Sequence, residues 1–242
     1  MKYPSYESLQ GLSDEGVAAL ATQGDAAERI WAAWTQGIRF GQAYSKTFTA
    51  YVDTEPNSGI RRHLIVMLAG FWAEEMAADT TSANAEQPSH SCKKLLDALA
   101  RIDPHERVRA TAWKHLIHLQ DLTPNECADG FSDPSQVVRK TILETIAPER
   151  FTRPEEQLIP FLRDSDASVR QAALDVWTRC QSVDHWFSMS FIKYLESETY
   201  RPLKRRLAVL CRIAHREDIL EDQLQFEGPA FVRSHFLPMV RR

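Results

Sequence analysis

The chain is short of glycine, with nine in 242 residues, and runs of alternating β-branched residues are scarce. Half-buried strands and their tight turns draw on both, so a sheet protein is disfavoured and an all-α fold is expected. Its four cysteines, Cys92, Cys127, Cys180 and Cys211, lie far apart. They lack the close pairs of a zinc knuckle or a dithiol motif and read as buried free thiols. No apolar stretch approaches the roughly 20 residues that span a bilayer. The start, Met1-Lys2-Tyr3-Pro4-Ser5-Tyr6-Glu7, has no secretory apolar run. A soluble, cytoplasmic protein without a membrane role is therefore expected. A cationic surplus is missing too: 29 lysines and arginines stand against 33 acids, a formal net charge of −4. Phosphate contacts need such a surplus on at least one face, which disfavours nucleic acid as the partner.

The signatures of catalysis are equally scarce. No nucleophile elbow, glycine-rich phosphate loop, dinucleotide fingerprint or HExxH occurs. His115 and His118 stand three apart but have no third ligand at a suitable spacing. Acidic pairs such as Asp164 with Asp166, or Glu74 with Glu75, read as caps and solvated faces. No enzymatic activity, cofactor or metal is expected.

What the chain does have is a repeat. Asp103, Asp133 and Asp164 each stand six residues before an arginine that follows a valine: Arg109, Arg139 and Arg170. After each arginine an apolar residue falls at plus three (Ala112, Ile142, Ala173) and plus seven (Leu116, Ile146, Trp177), one stripe of an α-helix. The arginines are 30 and 31 residues apart, and a fixed period of that size marks stacked helical hairpins. Looser copies of acid, apolar residue, anchor and two further apolar residues extend the series. They are Asp25, Ile30, Trp31, Trp34, Ile38; Glu55, Ile60, Arg61, Leu64, Leu68; Glu198, Leu203, Lys204, Leu207, Cys211; and Glu227, Val232, Arg233, Phe236, Val240.

A lone amphipathic helix cannot bury its apolar side, so each copy needs a helix before it. These are expected at 14–22, 41–52, 93–102, 124–130, 154–163, 183–196 and 218–226, the fourth being the shortest and poorest in large apolar groups. Residues 1–242 then form a single domain of about seven hairpins. The step from Arg61 to Arg109 is 48 residues, and the surplus falls in the polar stretch 79–91, which reads as an exposed loop insertion.

The pattern Asp-Pro-x-x-x-Val-Arg-x-x-Ala-x-x-x-Leu at Asp103–Leu116, with its looser copies, resembles the HEAT-repeat family and its bacterial HEAT-like relatives. The resemblance implies a right-handed α-solenoid whose second helices line a concave groove. It also implies a structural ladder between repeats, carried here by Asp103, Arg109, Asp133, Arg139, Asp164 and Arg170.

Positions plus one, plus five and plus nine from each anchor point away from the apolar stripe. They hold Ala110, Lys114, His118; Lys140, Glu144, Pro148; and Gln171, Asp175, Arg179. Their mixed charge suits a protein partner. Lys114, His118, Lys140, Glu144, Gln171, Asp175 and Arg179 are thus the candidate partner-binding residues of a non-catalytic scaffold, a class that includes adaptors and toxin-neutralising immunity proteins. Among six tryptophans, Trp31, Trp34 and Trp177 read as packing, while Trp72 and Trp113 fall off the register and are candidates for partner contact. The alternative is a DNA-binding protein resembling the HEAT-like alkylpurine glycosylases, with Trp113, Lys114 and Asp175 nearest to a lesion site. The basic run Arg201–Arg206 reads as a solvated helix start.

Overall fold

The computed structural model describes residues 9–40, 45–79, 91–216 and 218–219, which form helices joined by short turns, with no strand among them. The chain divides into two compact units, residues 1–146 and 147–242.

The N-terminal unit contains α1 (Asp14–Gln23), α2 (Ala26–Phe40), α3 (Ser45–Thr54), α4 (Ser58–Asp79), α5 (Ser91–Ile102), α6 (Glu106–Gln120), α7 (Ala128–Phe131) and α8 (Gln136–Thr145). Successive helices pack in pairs, α1 with α2 through to α7 with α8. The second members α2, α4, α6 and α8 also pack on one another in order, as do α3, α5 and α7. Two layers result, with the apolar stripes buried between them. Val108, Ala112 and Leu116 of α6 and Val138 and Ile142 of α8 are buried. Each such valine, leucine or isoleucine side chain contributes about 1.5–3 kcal/mol, and the single methyl of Ala112 less.

Helix starts are written into the turns. Asp25 accepts the N–H of Ala27 at 2.8 Å while Glu28 accepts the N–H of Asp25 at 2.7 Å, a reciprocal cap at the head of α2. Asn57 accepts the N–H of Gly59 at 2.9 Å, and Ser135 that of Val137 at 3.2 Å.

Two aromatic residues lie elsewhere than their position in the repeat implies. Trp72 and Trp113, set apart above for partner contact, are 4 % and 1 % exposed and belong to the core. The short α7 explains Trp113. A single-turn helix with a glycine at its third position leaves space beside α6, and the indole fills it. A Cβ on Gly130 would fall 2.7 Å from Trp113 Cε2 and would strike Ile142 Cδ1. The Arg101 guanidinium closes over the same ring, 5.4 Å from its centroid.

The C-terminal unit contains a 3-10 turn at Pro148–Arg150, α9 (Pro154–Leu162), α10 (Ala167–Cys180), a second 3-10 turn at Val183–His185, α11 (Met189–Ser197) and α12 (Arg201–Ile213). Helix α9 packs against both α10 and α11. The helix expected over 183–196 is broken. Trp186 turns in to donate its Nε1–H to Gln181 O at 3.0 Å, and Ser188 accepts the Phe191 N–H at 3.3 Å, starting α11 afresh. Trp177 donates to Trp186 O at 3.1 Å and stacks on Phe191 with centroids 5.1 Å apart. Residues 41–44, the inserted 80–90, and 220–242, which include the proposed seventh hairpin, lie outside the described residues.

Candidate functional site

The turns between paired helices share one geometry. In each, the carboxylate of the leading acid accepts the N–H two residues on: Asp103 from His105, Asp133 from Ser135 and Asp164 from Asp166 at 2.8 Å, Glu198 from Tyr200 at 2.7 Å. The anchor arginine six residues later donates Nη1–H back to that acid's carbonyl: Arg61 to Glu55 at 2.7 Å, Arg109 to Asp103 at 2.8 Å, Arg139 to Asp133 at 2.8 Å, Arg170 to Asp164 at 2.9 Å. At Arg61, Arg109 and Arg170 the other two donors fork onto the acid of the following turn. Arg61 reaches Asp103 at 2.8 and 3.1 Å, Arg109 reaches Asp133 at 2.7 and 2.8 Å, and Arg170 reaches Glu198 at 2.8 and 3.0 Å. A planar guanidinium matches a carboxylate in this bidentate way, which a lysine cannot reproduce. Glutamate serves as well as aspartate at Glu55 and Glu198.

The fork sets the local electrostatics. Burial pushes the Asp133 and Glu198 carboxyls up, but Arg109 and the Ser135 N–H outweigh it at Asp133, and Arg170, the Tyr200 N–H and the Tyr194 hydroxyl do so at Glu198. Both stay below the usual carboxylate range. Tyr194 donates to Glu198 at 2.9 Å, and burial followed by that negative neighbour raises its phenol well above the ordinary value.

The first anchor is displaced. Trp31 was expected there, but Arg29 performs the role, donating to Gly24 O at 2.7 Å and forking onto Glu55 at 2.9 and 3.3 Å. The shift of two residues turns the helix face over. Counted from Arg29, Trp34 and Ile38 fall at plus five and plus nine, the outward positions. They are 38 % and 61 % exposed, and Trp31 is 41 % exposed, so the packing role expected for the two tryptophans is not what the structure has. The buried residues of α2 are the small or polar Ala32, Ala33, Thr35 and Gln36.

The outward positions of the remaining second helices vary in character. On α4, Arg62, Val66 and Gly70 are exposed. On α6, Lys114 and His118 are exposed, whereas Ala110, expected beside them, is buried against its neighbours. His115 is half-buried, and burial, then the charges of Lys114 and His118, lower its pKa. On α8, Lys140 and Glu144 pair at 3.6 Å. Pro148 lies past the end of α8 because that helix stops at Thr145. In the C-terminal unit, Gln171 and Arg179 are exposed on α10, and half-buried Asp175 pairs with Arg206 from the basic run at the start of α12. Lys114, His118, Lys140 and Glu144 thus share one unit, and Gln171, Asp175 and Arg179 the other.

Among the described residues no group of three or more histidines, cysteines or acids is placed to hold a metal ion, and no helix is long and apolar enough to cross a membrane. Trp113, the aromatic put forward for a lesion site, is enclosed and offers no face for stacking.

A family model described as a HEAT repeat associated with sister chromatid cohesion matches residues 156–176. That stretch runs from α9 through most of α10 and includes Asp164 and Arg170. No curated protein matches the chain. The matched hairpin and the all-helical architecture together support a HEAT-like helical repeat.

Proposed function

We propose that the chain is a non-catalytic scaffold, a right-handed α-solenoid of about seven HEAT-like hairpins that holds a protein partner along the concave side formed by its second helices. The observation that carries this reading is the outward row itself. Two tryptophans and an isoleucine stand exposed on α2, and Lys114, His118, Lys140 and Glu144 follow at equivalent positions on α6 and α8. Tryptophan and charged groups in close company are the composition of a binding surface, in which aromatic anchors supply affinity and charge supplies orientation. A cytoplasmic adaptor or a toxin-neutralising immunity protein is the kind of role such a scaffold fills.

The test is capture of a partner from the native host by the wild-type chain, by a Lys114→Glu/Glu144→Lys variant and by a Gln171→Ala/Arg179→Ala variant. Each variant changes exposed polar groups and should fold normally. Loss of the same partner from at least one variant is the expected result. Equal capture by all three would defeat the scaffold reading. Salt titration with duplex DNA separates the nucleic-acid alternative, because phosphate contacts weaken steeply as salt rises.

A further inference from the structure

The outward row of the N-terminal unit is not uniform. At one end lies an apolar strip: Trp31, Trp34 and Ile38, spaced three and four apart on one side of α2, with exposed Val66 at the plus-five position of α4. Helices α2 and α4 approach closely at Gly37, where a Cβ would fall 2.7 Å from Met67 Cε and 3.1 Å from Phe71 Cζ. That absence of a side chain brings the two outward faces side by side. Beside Val66 on α4 stand exposed Arg62 and His63, and the next helix, α6, presents Arg107, Lys114 and His118. Among the described residues the exposed acids of this side are Glu74 of α4, Asp121 at the C-terminal end of α6 and Glu144 of α8, the last paired with Lys140, and none of them lies beside Trp31 or Trp34 in the outward row. A chain whose formal net charge is −4 therefore has a local cationic excess next to its exposed tryptophans.

We infer that this face receives an acidic amphipathic segment of the partner protein. The segment's apolar side chains seat on Trp31, Trp34, Ile38 and Val66, and its carboxylates face Arg62, His63, Lys114 and His118. This rests on the scaffold reading and specifies what the scaffold holds. Charge complementarity selects the occupant: a second copy of the chain meeting this face about a two-fold axis would oppose cations to cations. Single-stranded nucleic acid would use the cations but not the aliphatic strip. Bases stack on flat rings, and the branched surfaces of Ile38 and Val66 accept leucine or phenylalanine side chains instead. Exposed apolar groups flanked by charge are how helix-in-groove recognition is built.

The experiment uses the full chain and three fluorescent probes. One is a 16-residue synthetic peptide with leucine or phenylalanine at i, i+3, i+4 and i+7 and glutamate at the flanking positions. The second is the same peptide with lysine for glutamate, and the third is a 12-nucleotide single strand. The acidic peptide should bind in an anisotropy titration and shift tryptophan emission, and the lysine peptide should not. Affinity should fall at least tenfold in Trp34→Ala and in Lys114→Glu, and remain within twofold in Lys94→Ala, which changes an exposed lysine of α5 away from the outward row. Circular dichroism checks that each variant folds, and Ile38→Asp provides a second probe of the strip. Preference for the oligonucleotide, or peptide binding indifferent to Trp34→Ala, Ile38→Asp and Lys114→Glu, overturns the inference. If the peptide is indifferent to those changes while capture of the host partner is lost in the Gln171→Ala/Arg179→Ala variant, the inference falls and the scaffold reading stands. If capture is indifferent to every outward substitution, both fall.

Discussion

Arg61 and Asp103 are 42 residues apart in sequence, yet their side chains meet in a two-bonded fork at 2.8 and 3.1 Å. The other forks span 24 residues from Arg109 to Asp133, 26 from Arg29 to Glu55 and 28 from Arg170 to Glu198. The extra length around residues 79–91 is thus accommodated without altering the geometry at either side. Both partners of the Arg61 fork are buried, with side chains 9 % and 4 % exposed. Removal of one partner leaves a desolvated charge with nothing to offset it, which costs about 3–5 kcal/mol. Asp103→Ala should lower stability to urea by that amount, and Arg61→Lys, which keeps the charge but loses the fork, should also be clearly destabilising. Asp97→Ala, which removes the exposed pair with Arg101, should cost under about 0.5 kcal/mol. Equal effects from the two aspartate changes would refute the idea that burial makes the difference.

Gly130 is the second test. Any larger residue must displace Trp113 or Ile142, and overpacking of this kind costs about 1–3 kcal/mol. Gly130→Ala should destabilise within that range. Trp113→Phe should itself be destabilising but should reduce the penalty of Gly130→Ala in the double variant, because the smaller ring returns the space. Strict additivity of the two changes would show that the alanine methyl does not meet the indole.

The sequence made the central turns visible because Asp103, Asp133 and Asp164 recur with their arginines at constant spacing, and spacing is what a repeat preserves. The all-helical class followed from the shortage of glycine and of alternating β-branched runs. The first anchor escaped because an apolar template favours Trp31, with Trp34 and Ile38 at matching offsets, over Arg29. The true buried stripe of Ala32, Ala33, Thr35 and Gln36 carries almost no hydrophobic signal. The cap of Asp25 and Glu28 was the available clue: it fixes where α2 begins and puts Arg29 one residue beyond the cap's glutamate. Trp113 escaped for another reason. Its burial depends on how short α7 is, a property of a neighbouring segment that the register of α6 does not contain.

Acid should weaken the fold in a defined window. The Asp133 and Glu198 carboxyls titrate lower in the folded chain than their ordinary values of 3.8 and 4.5. A depressed folded value means that the unfolded chain binds protons first as pH falls, so protonation favours unfolding. The contribution is complete above about pH 5 and is lost as the pH drops through the ordinary carboxylate range toward the folded values. The urea midpoint should decline only slightly from pH 7 to 5, where the lowered imidazole pKa of half-buried His115 makes the unfolded chain bind its proton first, and more steeply from 5 to 3. Glu198→Gln should lower stability at pH 7 and make that decline shallower. A midpoint unchanged down to pH 3 would contradict the ladder's electrostatics.

The thiols should be inert in the native state. Burial, then the Glu126 charge, pushes the Cys127 thiol up to about 12 against the opposing pull of Arg101. Burial, opposed by Arg179, takes Cys180 up to about 11, and its Sγ–H donates to Pro148 O at 3.2 Å. Cys92 and Cys211 are also buried. Only the thiolate attacks a disulfide reagent. At pH 8, labelling of the native chain should be slow and substoichiometric, beginning at half-exposed Cys180, and all four thiols should react in guanidinium. Rapid native labelling of Cys127 would mean that α7 does not cover it.

Acrylamide quenching distinguishes the two registers of α2 directly. Quenching by a small polar solute follows exposure, and the six tryptophans separate sharply: Trp31 and Trp34 are on the surface, while Trp72, Trp113, Trp177 and Trp186 are buried. The Stern–Volmer plot should therefore curve downward, with a readily quenched fraction that disappears in Trp31→Phe/Trp34→Phe. The same double variant should unfold within about 0.5 kcal/mol of wild type, as surface changes do. Trp177→Ala, which empties a fully buried site stacked on Phe191, should cost about 3–5 kcal/mol. Were the quenchable fraction instead to persist without Trp31 and Trp34, or were their removal as damaging as that of Trp177, the anchor would belong at Trp31. The outward row would then begin at α4, with no aromatic residue on it to seat a partner's apolar side chains.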